Sequence, residues 1–273
     1  MILVIDALNR HHHHSILDEM FQLRARVFGD RLGWDVRIED GREIDEFDAL
    51  DPAYVIGLDD DYNVVACVRA LQTTGPHMLA DVFSDILQGE PPLRSATLWE
   101  STRFCVDTER LTLSGRGPGS VSRATCELMV GSLEYAMMNG IEDIVTVIDP
   151  VMNRVLKRSD NAPYDYVGQT VQMGKTKAMA ALLDCSEDRI ARVRAFAGIE
   201  GSVFVDEIGL LKAQARKRVD SQDLTQYFID QIDMASSPSE LEAALALIDL
   251  VLGPQQDKSQ DLHLPETAQD QAG

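Results

Sequence analysis

The sequence predicts a mixed α/β sandwich. Short apolar runs that are typical of strands alternate with longer segments of helical spacing, and some neighbouring strands are joined as hairpins. A chain of 273 residues, 45% of them apolar, is long enough for one substantial core and an appended segment.

The first half of the chain contains one predicted helix and four predicted strands. Residues 15–28 repeat apolar side chains at helical spacing, and Ser15 is the expected N-cap. Residues 33–48 carry many charges and little periodicity, which predicts a long ordered loop. The predicted strands are residues 2–5, 54–58, 64–71 and 96–106, of which the second and third form a hairpin through DDDYN.

The second half alternates helices with strands and ends in a polar segment. A glycine-rich turn at residues 114–119 precedes a helix at 121–139. The elements after it are a strand at 144–148, a helix at 150–158, strands at 164–173 and 178–183, and a helix at 187–197. We expect one domain over residues 1–218 and an acidic extension over residues 219–273, partly helical and then disordered.

The net charge of −20 is unevenly distributed along the chain. It is −14 over residues 1–153, +4 over residues 154–218 and −10 over residues 219–273. Phosphate binding requires a concentrated positive surface, so nucleic acid is not an expected partner. The positive middle segment suits either local attraction of an acidic protein or an ordinary solvated face of mixed charge.

Cysteines and apolar runs indicate the cellular environment. The four cysteines are scattered and form no CxxC, which predicts buried, reduced thiols in a cytoplasmic protein. No apolar run approaches the ~20 residues that span a bilayer, and the first residues do not resemble a secretory signal. The histidine run at residues 11–14 lacks spaced metal-binding partners, so we expect a polar lead-in to the first helix.

Two charged residues interrupt the apolar strand TLWESTRFCV at residues 97–106. Burying Glu100 or Arg103 without a partner would cost several kcal/mol, so the two are expected to be paired or used. Residues three apart in a regular strand point to opposite faces, and a β-bulge next to Ser101 and Thr102 would bring both onto one side. Because bulges cluster beside active sites, this strand is predicted to carry the function.

Four other charged side chains are expected beside buried walls. They come from the first helix, the long loop and an apolar strand: Arg24, Asp45, Asp48 and Arg69. Taken singly, each suits a structural salt bridge or cap. Together with Phe28 and Trp34, they suit a pocket for a small zwitterionic ligand with a net positive charge, in which carboxylates bind an ammonium or sulfonium and arginines bind a carboxylate.

The blocks that contain these residues resemble a known family. They are RARVF at 24–28, LGW at 32–34, EIDEFD at 43–48, RAL at 69–71, TTGPHML at 73–79, Phe83 and WESTRF at 99–104. Their order and spacing resemble the signature of the acyl-homoserine-lactone synthases, the LuxI-type autoinducer synthases, over about residues 1–200. This resemblance implies a three-layer α/β/α sandwich with a mixed, splayed central sheet, like that of GCN5-type N-acetyltransferases.

The resemblance also implies a quorum-sensing reaction. An acyl chain would pass from acyl carrier protein to the amine of S-adenosylmethionine, followed by lactone closure and release of methylthioadenosine. S-adenosylmethionine is then a substrate, and neither a cofactor nor a metal is expected. Two alternatives stay open: an N-acyltransferase that uses acyl-coenzyme A, and a non-catalytic module that only senses S-adenosylmethionine.

The resemblance assigns roles to particular residues. The catalytic set is Arg24, Asp45, Asp48, Arg69, Glu100 and Arg103, and the substrate-binding set is Phe28, Trp34, Phe83 and Thr146. Glu100 is the expected general base, acting through a water. The two aspartates would orient the amine or hold the sulfonium side, and the arginines would neutralise them and bind the substrate carboxylate. The two N-terminal aromatic residues would enclose the adenosine.

Three features relate to the acyl donor. Thr146 aligns with a threonine that favours 3-oxo-acyl chains in the family, or it is an ordinary β-branched strand residue. The glycine-rich turn lies where related folds hold a pantetheine arm, or it is simply flexible. Arg154, Lys157 and Arg158 form a basic cluster on one predicted helix, where an acidic acyl carrier protein would dock.

Overall fold

A computed structural model describes residues 1–113, 118–174, 176–219 and 225–252 of the chain. The chain divides into two compact units, the first over Met1–Val203 and the second beginning at Phe204. No described helix is long and apolar enough to cross a membrane.

The first unit is built on a seven-stranded mixed sheet. Its strands are β1 (Ile2–Ile5), β4 (Ala53–Leu58), β5 (Val64–Gln72), β6 (Leu98–Val106), β7 (Asp143–Ile148), β8 (Asp165–Met173) and β9 (Thr176–Asp184). They lie in the order β1-β4-β5-β6-β7-β9-β8. All neighbouring pairs are antiparallel except β6 and β7, which are parallel. A separate hairpin joins β2 (Ile38–Glu39) to β3 (Arg42–Glu43).

The helices of the first unit fit most of the sequence predictions. They are α1 (His14–Arg24), α2 (Met78–Asp81), α3 (Thr108–Leu113), α4 (Pro118–Met138), α5 (Pro150–Arg158) and α6 (Glu187–Ala197). The last two helices have the predicted boundaries, because Asp149 and Ser186 cap their first turns with side-chain oxygens. The prediction of strands at 164–173 and 178–183 is confirmed by β8 and β9 to within about two residues.

The helices cover both faces of the sheet. Helix α4 packs on one face, since a Cβ added to Gly131 of this helix would lie 2.9 Å from the side chain of Ile2. Ile2 is aligned across the sheet with Gly57 and Ala66, so Ala66 lies on the same face. Side chains alternate along a strand, so Arg69 points to the other face, where it lies near α1. The three-layer α/β/α sandwich is therefore confirmed.

The entry into the first helix differs from the prediction. A short 3₁₀ helix, Arg10–His12, leads directly into α1, so the N-cap is His13 rather than Ser15. The histidine run is thus the expected lead-in, although His13 itself is fully buried. After α1 the chain continues as a π-helix, Ala25–Arg31, a form that is rare and is often found at functional sites.

The charged loop is more regular than its sequence indicates. Residues 33–48 contain the hairpin β2–β3 and the start of a 3₁₀ helix, Glu46–Ala49. Asp45 caps this turn by accepting the N–H of Phe47, and Asp48 in return accepts the N–H of Asp45. This reciprocal capping box orders the loop without an apolar core of its own.

The second unit contains three helices, α7 (Glu207–Val219), α8 (Thr225–Met234) and α9 (Pro238–Leu252), in its described part. They bury one small apolar cluster, which contains Phe228, Ile232, Leu241 and Ile248. The prediction that residues 219–273 are partly helical agrees with α8 and α9. Residue 218, the predicted end of the first domain, lies within α7. The segment predicted to be disordered after Pro254 lies outside the described residues.

Free thiols and a close backbone contact complete the first unit. All four cysteines are free, and Cys67, Cys105 and Cys126 are buried, as predicted.

At the outer edge of the sheet, Gly168 interrupts the register of β8 with a positive φ of +63°. A Cβ at this position would lie 2.0 Å from the carbonyl oxygen of Ile86, so only glycine fits.

We predict that Gly168→Ala destabilises the protein more than Gly174→Ala. Both glycines have positive φ, but a Cβ at Gly174 would contact nothing within 4 Å, so the control isolates the clash. The left-handed backbone should cost each variant about 1 kcal/mol, and overpacking should add about 1–3 kcal/mol at Gly168 alone. Denaturant unfolding measures both changes, and equal losses would contradict the contact.

Candidate active site

The predicted bulge lies at Arg103. On β6, Cys105 pairs with Cys67 and Thr102 pairs with Arg69, so Arg103 and Phe104 together oppose the single residue Val68. Arg103 adopts the left-handed conformation, with φ at +56°. As a result both Glu100 and Arg103 reach the same residue of α2, Met78. The prediction that a bulge brings the two charges to one side is confirmed.

The sheet opens next to this bulge. Strands β6 and β7 pair from Leu98 with Asp143 as far as Ser101 with Thr146. Beyond that pair β6 continues along β5, and β7 continues along β9. The splayed sheet is therefore confirmed, and the two strands diverge where the bulge begins.

Arg24 is a fully buried member of the charged set. Its Nη1 and Nη2 donate to the two oxygens of Asp48 at 2.8 and 2.9 Å, and its Nε donates to Glu43 at 2.5 Å. The hydroxyl of Tyr54 also donates to Asp48, at 2.8 Å. Arg24 and Asp48 are both fully buried, so they position other groups rather than contact a ligand directly.

Arg69 and Arg103 share Asp45. Arg69 donates to both oxygens of Asp45, at 2.5 and 3.0 Å, and its Nε donates to Thr102 at 3.0 Å. Nη2 of Arg103 donates to Asp45 at 2.7 Å and to Glu43 at 2.8 Å. The side chains of Asp45 and Arg103 are each 11% exposed, which makes them the accessible edge of the network.

The electrostatic balance of this network keeps its buried members Arg24, Glu43 and Asp48 ionised. Burial alone would raise the pKa of Asp48 and Glu43, but the arginines outweigh burial and hold both pKa values below their usual range. Burial would lower the pKa of Arg24, yet Asp48 and Glu43 hold it well above its usual value. Three arginines therefore neutralise three carboxylates: Arg24, Arg69 and Arg103 with Glu43, Asp45 and Asp48.

Glu100 adds a fourth carboxylate beside this neutral network. Its two oxygens accept the N–H groups of Met78 and Leu79, each at 2.6 Å, at the first turn of α2. Burial raises the pKa of Glu100 to about 7, and these two N–H groups limit the rise. A carboxylate with a pKa near neutrality can accept a proton at physiological pH, which suits a general base.

The aromatic residues lie next to Arg103. Phe28 is buried and stacks on Trp34, with ring centroids 5.1 Å apart, and the Arg103 guanidinium lies 5.6 Å from the Phe28 ring. Trp34 is 43% exposed, so part of its surface is open to a ligand. Phe83 packs against two apolar clusters, one that contains Met78 and Phe47 and one that contains Leu79.

The remaining predicted residues lie on β7, on α5 and in the glycine-rich turn. Thr146 donates its hydroxyl to the carbonyl of Ser101 at 2.9 Å, at the point where β6 and β7 separate. Arg154, Lys157 and Arg158 are all exposed on α5. The ammonium of Lys157 lies 5.8 Å from the ring centroid of Tyr166. Most of the glycine-rich turn, residues 114–117, lies outside the described residues.

Glu43 is the main residue that the sequence predictions missed. It is buried and joins Arg24 to Arg103, so the network depends on it as much as on the aspartates. The sequence did contain an indication of Glu43, because residues two apart in an extended segment share a side and Asp45 was already a candidate. Within the described ranges, no group of three or more His, Cys, Asp or Glu side chains is arranged to hold a metal ion.

Comparison with known sequences indicates one family. A family model described as Autoinducer synthase matches residues 8–193. An acyl-homoserine-lactone synthase of Rhizobium radiobacter is 38% identical over 193 residues, which are 71% of this chain and 90% of that protein. A second, from Pseudomonas aeruginosa, is 33% identical over 172 residues, covering 62% of this chain and 83% of the other.

Solved structures agree with this result. The chain is similar to MesI, a CoA-dependent acyl-homoserine lactone synthase, with a TM-score of 0.65 and 26% identity over 76% of this chain and all of that one. It is also similar to the synthase LasI, with a TM-score of 0.60 and 29% identity over 76% of this chain and 98% of the other.

We predict that Arg24→Met lowers the free energy of unfolding by about 3–5 kcal/mol, because it leaves buried carboxylates with too few cations. Arg37→Met is the matched control, since Arg37 pairs with Glu39 where both side chains are about two-thirds exposed. Loss of that surface pair should cost no more than about 1 kcal/mol. Denaturant unfolding of both variants measures the difference, and similar losses would show that the buried network is not structurally coupled as described.

Proposed function

Because the chain belongs to the autoinducer synthase family, we propose that it joins an acyl chain from acyl carrier protein to S-adenosylmethionine. The protein is an acyl-homoserine-lactone synthase and hence an acyltransferase. The observation that carries the choice of substrate is the charge of the site, in which four carboxylates face three arginines.

The charge and shape of S-adenosylmethionine suit this site. Its ammonium and sulfonium groups outnumber its one carboxylate, so it carries the net positive charge that a site with one surplus carboxylate favours. Asp45 and Arg103, at the accessible edge, would hold the ammonium and carboxylate ends respectively. The exposed surface of Trp34, stacked on Phe28, would take the adenosine and the sulfonium.

Acyl transfer requires a free amine, because an ammonium has no electron pair with which to attack a thioester. Glu100 would remove the proton, and since it is fully buried it would do so through an intervening water. Each of its oxygens keeps a second lone pair besides the one used by α2. The amine nitrogen then bonds to the acyl carbonyl carbon, and backbone N–H groups at the bulge would stabilise the oxyanion. The C–S bond of the thioester breaks with its electron pair going to sulfur, and the second proton of the nitrogen passes to this thiolate, so the carrier leaves as a thiol.

Lactone closure follows within the acylated substrate. One carboxylate oxygen attacks the γ-carbon, and the C–S bond breaks with its electron pair going to sulfur. The sulfonium leaves as neutral methylthioadenosine. Arg103 would orient the carboxylate for this attack, and the step itself needs no further base.

Two observations bear on the acyl donor. Arg154, Lys157 and Arg158 lie exposed together on α5, which favours an acidic acyl carrier protein. The similarity to a CoA-dependent synthase keeps acyl-coenzyme A as the second candidate. Neither donor requires a cofactor or a metal.

Expression in a host that makes no lactone tests the reaction. Mass spectrometry of the culture extract should detect an acyl-homoserine lactone, and Glu100→Gln should reduce its rate of formation at least ~100-fold. Calorimetry should find S-adenosylmethionine bound by this variant within about tenfold of wild type, since the other contacts remain. Soluble wild-type protein that makes no lactone from several acyl donors would exclude the function, and turnover by Glu100→Gln would exclude this base.

Charge reversal on α5 tests the donor. The triple change of Arg154, Lys157 and Arg158 to Glu should raise KM for acyl carrier protein at least ~10-fold, because each residue would then repel the acidic partner. KM for a coenzyme A donor should change less than about twofold. Arg37→Glu, an exposed change away from α5, is the control. An unchanged KM for the carrier would place its docking surface elsewhere.

A further inference from the structure

Met78 lies where the three parts of the site meet. Its backbone N–H donates to Oε2 of Glu100 at 2.6 Å. Its Sδ accepts Nη2 of Arg69 at 3.3 Å and Nη1 of Arg103 at 3.5 Å. The rest of its side chain packs against Phe47 and Leu71. One residue therefore contacts the proposed base, two of the arginines and the apolar wall.

The thioether suits this position better than the common alternatives. An alkyl side chain would direct a buried N–H of Arg69 and a partly buried N–H of Arg103 at carbon, which cannot accept them. A carboxylate would satisfy them but would add a second surplus negative charge beside Glu100. The sulfur of methionine is a weak acceptor without charge, so it satisfies both donors and leaves the balance of the network unchanged.

The other contacts of the two arginines show what the sulfur controls. Arg103 uses Nε and Nη2 on Glu43 and Asp45, and its Nη1 is directed to Met78. Arg69 is held by Thr102 and Asp45, and its Nη2 is also directed to Met78. The guanidinium edges that face α2, the helix that holds Glu100, are therefore both directed at this sulfur.

We propose that Met78 is a positioning residue for the acyl transfer. It fixes the distance between Glu100 and Arg103, through its backbone N–H on one side and its sulfur on the other. The inference rests on the proposed roles of Glu100 and Arg103, and it goes beyond them by assigning a role to a side chain that itself carries no charge and exchanges no proton.

Two substitutions separate positioning from packing. Met78→Leu keeps the volume, the backbone N–H and the apolar packing, but it removes the acceptor. Met78→Gln inserts polarity into the apolar cluster, yet its side-chain carbonyl can accept both arginines. We expect kcat/KM for S-adenosylmethionine to fall about tenfold in Met78→Leu and to stay within about threefold in Met78→Gln. The order of thermal stability should be the opposite, with Met78→Leu the more stable variant.

A packing role predicts that activity and stability follow the same order. If Met78→Leu keeps activity within twofold of wild type, or if Met78→Gln is the less active of two folded variants, the proposal is wrong. Should Met78→Gln fail to fold, Met78→Leu still decides, since the proposal requires lost turnover in a variant that remains folded. Leu71→Gln, in the same apolar cluster, measures the stability cost of the polar group alone. A wild-type protein that forms no lactone would instead exclude the proposed function.

Discussion

The ion pairs of three arginines hold together three separate elements of the fold. Arg24 comes from α1, Arg69 from β5 and Arg103 from β6, while their carboxylate partners follow one another on the segment from β3 into the next 3₁₀ turn. That segment is held against the sheet by these ionic contacts together with the burial of Phe47 against Leu71 of β5. A buried ion network is not more stable than a well-packed apolar one of the same volume. The network instead fixes orientation, because each guanidinium hydrogen-bonds its carboxylates at defined angles.

The bulge makes this network possible. In a regular strand Arg103 would point away from Glu100, towards the opposite face of the sheet. The left-handed residue costs about 1 kcal/mol for a side chain other than glycine, and its hydrogen bonds to Glu43 and Asp45 hold it in place. The same irregularity lies where β6 and β7 separate, so the charged network and the opening in the sheet occupy the same place.

The sequence was most informative where local rules decide the structure. The helix at 150–158 begins with Pro150, and Asp149 caps its first turn. The bulge was indicated by two charged residues whose spacing would place them on opposite faces of a regular strand. The charged set itself was found from residues that break apolar patterns, such as Arg69 within β5. The hairpin β2–β3 and the cap at His13 were not predicted, although both arise from residues a few positions apart. The burial of Glu43 depends on Arg24 and Arg103, which are distant in the chain, and the sequence alone indicates only that Glu43 shares a side with Asp45.

The central claim is that the site is built around one surplus carboxylate and therefore prefers a cation. S-adenosylhomocysteine tests it directly, because it lacks the methyl group that gives S-adenosylmethionine its positive sulfur and is otherwise the same molecule. Calorimetric titration at pH 8, where Glu100 is ionised, should find S-adenosylmethionine bound at least about tenfold more tightly. Equal affinities, or a preference for the neutral thioether, would contradict the account.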